Sequence, residues 1–543
     1  MPITVVPRCC TVGRTLTAAV ALTLALLVRA EEVDVGANSI TIAISTEPPT
    51  LDSSLVEDAV SGFVVGLVNE GLVRFDARGR LQPGVAEQWD LTSERATFRL
   101  REEARWADGK PVTAFDFLYA FRRLVTPATG ASGSTVFSNR IRNGAEVLRG
   151  DLAPGRLGVS APDARTLIVE LARPTPYFVG LLAAVPYFPL REDFVAARGD
   201  RYAADAVDLL SNGPFVLESW VHGASLTFRA NPLYWDAARV KLAAIDVGYV
   251  TTDSRALFNL FRSGEIAEVG VDETTLEEVS RAGFKLRRNA TNCVALLTFN
   301  FRDGRLTADA RVRRAVSMAF DRDAYVNRVI AVPGNKPLGS MFSTHIRGID
   351  GRFIDEYPPR AHDLDPAAAK SLLDEVRAER GVLPRLVLLA TEGNEKQDEY
   401  VQATLADRLG LEVLLDRQTF KQAIAKLISG DFDIAQSRFC SGTLTDPVFF
   451  AELFHSAGTF NDGRYANPRY DSLIERARLE VDPVKRMDFF GEMQRMLVDD
   501  DVVLPTHEVG QVYLQDRTVR GLHRFPLRNF AFGRIAGGRQ ERP

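Results

Sequence analysis

Few residues in this chain have the type and spacing that bond-making chemistry needs. The six histidines, at 222, 345, 362, 455, 507 and 523, are scattered, and none has metal-ligand spacing. There is no H-E-x-x-H pair, no phosphate-cradling G-x-x-x-x-G-K-[ST] loop, no G-x-S-x-G elbow, and no C-x-x-C beyond the leader. Asp431 and Asp433 flank a strand and read as solvated rather than catalytic. With no nucleophile–base pair in view, the sequence gives nothing specific to build an enzyme, a metal centre or a cofactor site on, although an active site assembled from distant residues, as in a secreted hydrolase, would leave no such signature. What remains is recognition. Arg438 to Thr443 (Arg438-Phe439-Cys440-Ser441-Gly442-Thr443) follows an apolar strand at its carboxyl end, which is where ligands sit in open α/β sheets.

The elements that would position those residues are legible. In the 360–440 stretch, Asp365 caps a helix with Pro366 at its first turn. Strands are predicted at 386–389, 411–415 and 432–438, and helices at 395–408 and 419–427. Upstream, Ser39–Ser45 alternates like a strand. The 59–72 stretch has helical spacing, 81–100 reads as short strands, and Thr113 caps a helix over 114–124. The Phe115, Phe117, Leu118 and Phe121 face of that helix reads as core. Strands follow at 166–171, 215–220, 225–230 and 245–251, with helices at 176–185 and 253–263. The alternation makes this an α/β protein.

A chain of 543 residues, 46% hydrophobic and 25% charged, has room for two to four domains. A net charge of −5 and a pI near 5.9 leave no basic footprint for nucleic acid. Arg8 and Arg14 precede an apolar run from Leu16 to Val28, and Val28-Arg29-Ala30 fits a cleavage site. Residues 1–30 therefore read as a signal peptide, with an uncleaved anchor as the alternative. No lipobox cysteine stands near Ala30, which favours a freely soluble periplasmic product. Beyond the leader only Cys293 and Cys440 remain. They read as a disulfide or as two buried thiols. A bridge across so long a loop would stabilise by roughly 4–5 kcal/mol on the chain-entropy model.

Several runs carry a family resemblance: Glu47-Pro-Pro-Thr-Leu-Asp52, Asn69-Glu-Gly-Leu72, Pro83-Gly-Val-Ala-Glu-Gln-Trp89, the run from Phe98 to Phe117, Asn212-Gly-Pro-Phe215, Arg229-Ala-Asn-Pro-Leu-Tyr-Trp235, Phe261-Arg-Ser-Gly-Glu-Ile266, the run from Arg311 to Arg322, and Asn467-Pro-Arg-Tyr-Asp471. In this order they resemble the family 5 extracellular solute-binding proteins, and most closely their oligopeptide-binding branch. The resemblance implies a three-lobed, hinged periplasmic binding protein (Venus-flytrap) with mixed sheets and an inserted extra domain. Domain I would be 31–75, 210–305 and 517–543; domain II, the inserted lobe, 76–209; domain III, 306–516. It implies a monomer that captures peptide by hinge closure and delivers it to an inner-membrane ABC permease. It also implies a disulfide between Cys293 and Cys440.

By the same resemblance, Glu57-Asp58-Ala59 on domain I and Arg438-Phe439-Cys440-Ser441 on domain III supply backbone partners to an extended peptide, with Phe439 packing on a ligand side chain. The branch places an aspartate two residues after the cysteine, against the peptide α-ammonium. This chain has Gly442 there. Either Glu57 or Asp446 serves instead, or the ligand lacks a free α-amine: a blocked peptide, a cell-wall fragment, or a non-peptide solute such as an opine, a sugar or a metal chelate. Arg438 or Lys421 is available for a ligand carboxylate.

Overall fold

A computed structural model describes residues 32–536 apart from 77–78, 132, 443, 459 and 525–527. The expected signal peptide and Thr443 lie outside the described residues.

Three larger sheets carry the fold. The first has five strands, in the order Val33–Asp34, Ser39–Ile44, Ala244–Val250, Ser225–Ala230, Phe215–Val221. It is antiparallel except where Ser39–Ile44 and Ala244–Val250 run parallel. Ile40, Ile42, Phe215 and Phe228 point into its core. The second is a four-stranded antiparallel sheet, Ala86–Leu91, Arg95–Leu100, Thr166–Glu170, Val159–Asp163. Helix Ala114–Leu124 belongs to the same core through Phe117 and Phe121. Phe115 departs from the expected core face and is exposed.

Runs that are distant in sequence meet at buried nodes in this part of the chain. The Glu70 carboxylate accepts from the Tyr234 hydroxyl at 2.6 Å, Trp235 Nε1 at 2.5 Å and Arg74 Nη1 at 2.9 Å. Asn212 Oδ1 accepts from Asn69 Nδ2 at 3.0 Å and from the Glu70 amide at 3.1 Å. Arg123 forks onto both carboxylate oxygens of Asp52, at 2.9 and 2.6 Å. Buried polar groups need such partners, so these residues act as scaffold.

The third sheet has seven strands, six of them in the order Glu268–Val271, Val503–Gln515, Arg287–Phe299, Ile434–Cys440, Leu386–Thr391, Val413–Gln418. The two 13-residue strands, Arg287–Phe299 and Val503–Gln515, run antiparallel to each other down its middle. Near one end Val503–Gln515 also pairs with Glu268–Val271; near the other, Arg287–Phe299 pairs with Ile434–Cys440. These two crossing strands join the part of the sheet that follows the five-stranded layer to the α/β part. Arg287–Phe299 breaks register between Ala290 and Val294, and Asn292 there has φ +49°. Such a bulge bends a strand.

Beyond the crossing strands the chain makes two consecutive β-α-β units. Leu386–Thr391, helix Glu395–Leu409, Val413–Gln418, helix Phe420–Ser429 and Ile434–Cys440 follow one another. Leu386–Thr391 lies between the other two strands and parallel to both. The first connection runs from it to Val413–Gln418 on one side and the second crosses back over it to Ile434–Cys440 on the other, so the connections reverse direction there, which is a topological switch point. Asp433, expected to be solvated, is buried: its carboxylate accepts from the amides of Leu306 at 3.0 Å and Val387 at 2.8 Å and ties the sheet to its neighbours.

Candidate functional site

The switch point opens a cavity. Ile434–Cys440 pairs with Leu386–Thr391 only at Ile434 and Ala435, and then the two strands part. The main-chain edge of Gln436 to Cys440 on that side has no strand partner among the described residues, while its other edge stays paired to Arg287–Phe299 as far as Cys440. The cavity measures about 1050 Å³, at the upper end for small-ligand sites. The α/β wall contributes Thr391, Asn394, Gln397, Gln436, Arg438 and Phe439. Ser254, Gly270, Asp272 and Arg524 also line the cavity. Phe420 and Phe460 stand at the site 72% and 68% exposed, an apolar area that closure or a ligand would cover.

Beneath the wall, the fully buried Asp398 accepts from Gln436 Nε2 at 2.8 Å and Arg417 Nε at 3.0 Å. Burial raises its pKa against the pull of Arg417. His507, also lining the cavity, bonds through Nδ1 to the Thr506 hydroxyl at 3.0 Å. Burial, with Arg438 nearby, pushes its pKa down to about 4, so it is neutral at ordinary pH.

The sequence candidates divide. Arg438 and Phe439 line the cavity, and Phe439 also packs edge-on against Phe450 at 5.1 Å. Ser441 and Gly442 continue past it: Ser441 is buried, Gly442 exposed. Cys293 and Cys440 face each other across paired strands with Cα atoms 4.1 Å apart, and they are disulfide-bonded. Glu57, Asp58 and Ala59 are not among the lining residues. Asp58 instead caps helix Ala59–Val68, its carboxylate accepting from the amides of Val60 at 2.9 Å and Ser61 at 2.8 Å. Asp446 is unavailable to a ligand amine, because the buried Arg486 holds it in a two-pronged pair at 2.7 and 2.8 Å. Among the described residues no cluster of three or more His, Cys, Asp or Glu is arranged to hold a metal ion.

Asn292 is a positioning residue that the sequence reading missed. Its Nδ2 reaches Ser441 Oγ at 2.5 Å and the carbonyls of Gly442 and Leu444 at 3.1 and 3.0 Å, and its Oδ1 accepts from the Ser343 hydroxyl. It thus ties the end of the cavity strand to the bulge in the crossing strand. Its adjacency to Cys293 is the one sequence signal that could have drawn attention to it.

A cleft lined by a free strand edge, aromatic rings and a few charges defines a binding protein. The model for bacterial extracellular solute-binding proteins, family 5 Middle, matches residues 80–461, and the chain belongs to that family. Among relatives, the dipeptide-binding protein DppE of Bacillus subtilis is 29% identical over 89% of this chain and 88% of its own length. Among solved structures, the unliganded open form of the murein tripeptide-binding protein MppA overlays with a TM-score of 0.80 at 26% identity, covering 93% of this chain and 98% of that one. Peptide-bound OppA of Listeria monocytogenes overlays with a TM-score of 0.68 at 28% identity, covering 92% and 99%. Among the described residues no helix is long and apolar enough to cross a membrane.

Proposed function

We propose that the protein is an exported periplasmic receptor that captures peptides between its lobes and passes them to an inner-membrane ABC permease, with no covalent chemistry of its own. The observation that carries this reading is the unpartnered main-chain edge of Gln436 to Cys440 on the cavity wall. An extended peptide adds to such an edge by main-chain hydrogen bonds, which gives affinity without reading every side chain. Support comes from the family and from relatives named for dipeptides and murein tripeptides.

In this reading the three lobes follow the three larger sheets, with 76–209 as the inserted lobe. The two crossing strands form the hinge, and the α/β stretch closes on the ligand. Arg438, Phe439 and the backbone through Ser441 and Gly442 contact the peptide from one side. The Glu57–Ala59 loop approaches from the other on closure. The receptor acts as a monomer.

Native mass spectrometry of mature protein taken from its own periplasm, followed by denaturing release of the bound material, tests this. A ladder of short peptides supports it. A single defined compound without peptide bonds overturns it.

A further inference from the structure

One charged cluster on the cavity wall does not balance. Glu268, 3% exposed at its side chain, is ion-paired to both Arg524 and Arg528. Among the described residues it is the only carboxylate either guanidinium contacts. Arg524 lines the cavity and lies over the Tyr513 ring at 4.3 Å. Arg528 lies over Phe63 at 4.5 Å and Phe530 at 4.8 Å and donates to the Ala43 carbonyl at 3.3 Å. The Nε of each is buried without a hydrogen-bond partner. Burial lowers the pKa of Arg524 to about 9 and of Arg528 to about 10, so both are protonated at neutral pH. Two cations on one anion leave a net positive charge on half-buried side chains.

The cavity's other acids do not cancel it. Asp272 is engaged by Ser254 and by the first turn of helix Glu273–Arg281, and Asp462 has the charges of Arg302 and Arg464 nearby. Glu273, at the start of the same helix, makes no ion pair with either arginine among the described residues. An uncompensated buried charge is costly, and an anion placed against it relieves that cost.

We propose that the Arg524–Glu268–Arg528 cluster is a receptor for a carboxylate carried by the ligand, with Arg524 presenting the free charge to the cavity. This rests on the peptide-capture reading and specifies its ligand: a peptide that offers a carboxylate to this wall, from its C-terminus or from an acidic side chain.

The experiment uses mature protein freed of bound material by unfolding and disulfide-intact refolding. Three libraries of tri- to pentapeptides serve as probes: free-acid without Asp or Glu, C-terminally amidated without Asp or Glu, and amidated with one Glu. Wild type should bind at least one carboxylate-bearing library about tenfold or more tightly than the amidated one without Glu, the scale of a charge-assisted hydrogen bond. Tight binding of the free-acid library alone assigns the carboxylate to the C-terminus, of the amidated Glu library alone to a side chain, and of both to either. R524Q should abolish the preference. R528Q should do so too, because it leaves Arg524 and Glu268 as a neutral pair. E268Q should enlarge it, a change misfolding cannot mimic. Equal binding of all three libraries by wild type, or a preference that survives R524Q, overturns the proposal. If no library binds, the peptide reading fails, and citrate decides the anion site. Thermal stabilisation by citrate over chloride at matched ionic strength, lost in R524Q, upholds it; no such stabilisation overturns it.

Discussion

His507 gives the sharpest test of the cavity's electrostatics. The residue is 7% exposed, and its pKa in the folded protein is depressed to about 4. An unfolded histidine titrates near 6.5. Below that value the unfolded chain takes up a proton that the folded protein refuses until about pH 4. Stability from this residue is therefore fully present above pH 6.5, falls as the pH drops through the window, and levels off below about 4. Between pH 7 and pH 5 the loss amounts to about 2 kcal/mol. Few carboxylates titrate in that range, so the effect is separable. The assay is urea unfolding of wild type and His507→Gln at both pH values. Wild type should lose about 2 kcal/mol more than the variant. Arg438→Gln, which removes the neighbouring cation, should shrink the difference by raising the folded pKa. Equal losses in wild type and His507→Gln, or an imidazole that titrates near 6.5 by NMR in the folded protein, would refute the argument.

Three further substitutions probe the same wall. Asn292→Leu should lower stability by about 2–3 kcal/mol, because the Ser441 hydroxyl and the Gly442 and Leu444 carbonyls lose their donor and the Ser343 hydroxyl its acceptor; thermal melts of Asn292→Leu beside Asn292→Ala check this. Asp446→Ala should destabilise by about 3–5 kcal/mol by leaving the buried Arg486 without its counter-ion. The ratio of affinities for free-amine and N-acetylated peptides should stay unchanged in that variant, and a shifted ratio would mean that Asp446 reaches the ligand. Gly442→Asp should cost about 1 kcal/mol or less of stability, since a Cβ there meets nothing within 4 Å and aspartate tolerates the left-handed φ of +59°. It should raise affinity for free-amine over N-acetylated peptides in calorimetry, and an unchanged preference would show that this position does not face the amine.

The local elements were largely readable. The strands at 39–44, 215–221, 225–230 and 244–250 and the helices at 114–124, 254–262 and 395–409 arise from short-range periodicity and capping, which a linear pattern displays. The two crossing strands were not anticipated. Val503–Gln515 carries Pro505 and Gly510, which usually break strands, and Arg287–Phe299 opens on polar residues and carries a bulge at Asn292. Both are strands because neighbours from three separate stretches of chain pair with them. The expected 176–185 helix shrinks to Phe178–Leu181, and 413–418 pairs two to three residues later than its apolar run suggested.

For the site, position along the strand sufficed to place Arg438 and Phe439 at the cavity. It could not say which charges were free. Asp58, Asp433 and Asp446 look equally available as letters. Folding commits the first to a helix cap, the second to two buried amides and the third to Arg486. Conversely, Arg524 and Arg528 sit in a tail that offered no motif, and only packing against Glu268 from a distant strand leaves one of their charges unbalanced. The sequence by itself determined the α/β alternation, the cysteine pair that could bridge and the family-like order of motifs, because these rest on local spacing and residue type. Tertiary structure alone decided the free strand edge, the two crossing strands and the net charge of the cleft, because each depends on which distant groups reach one another first.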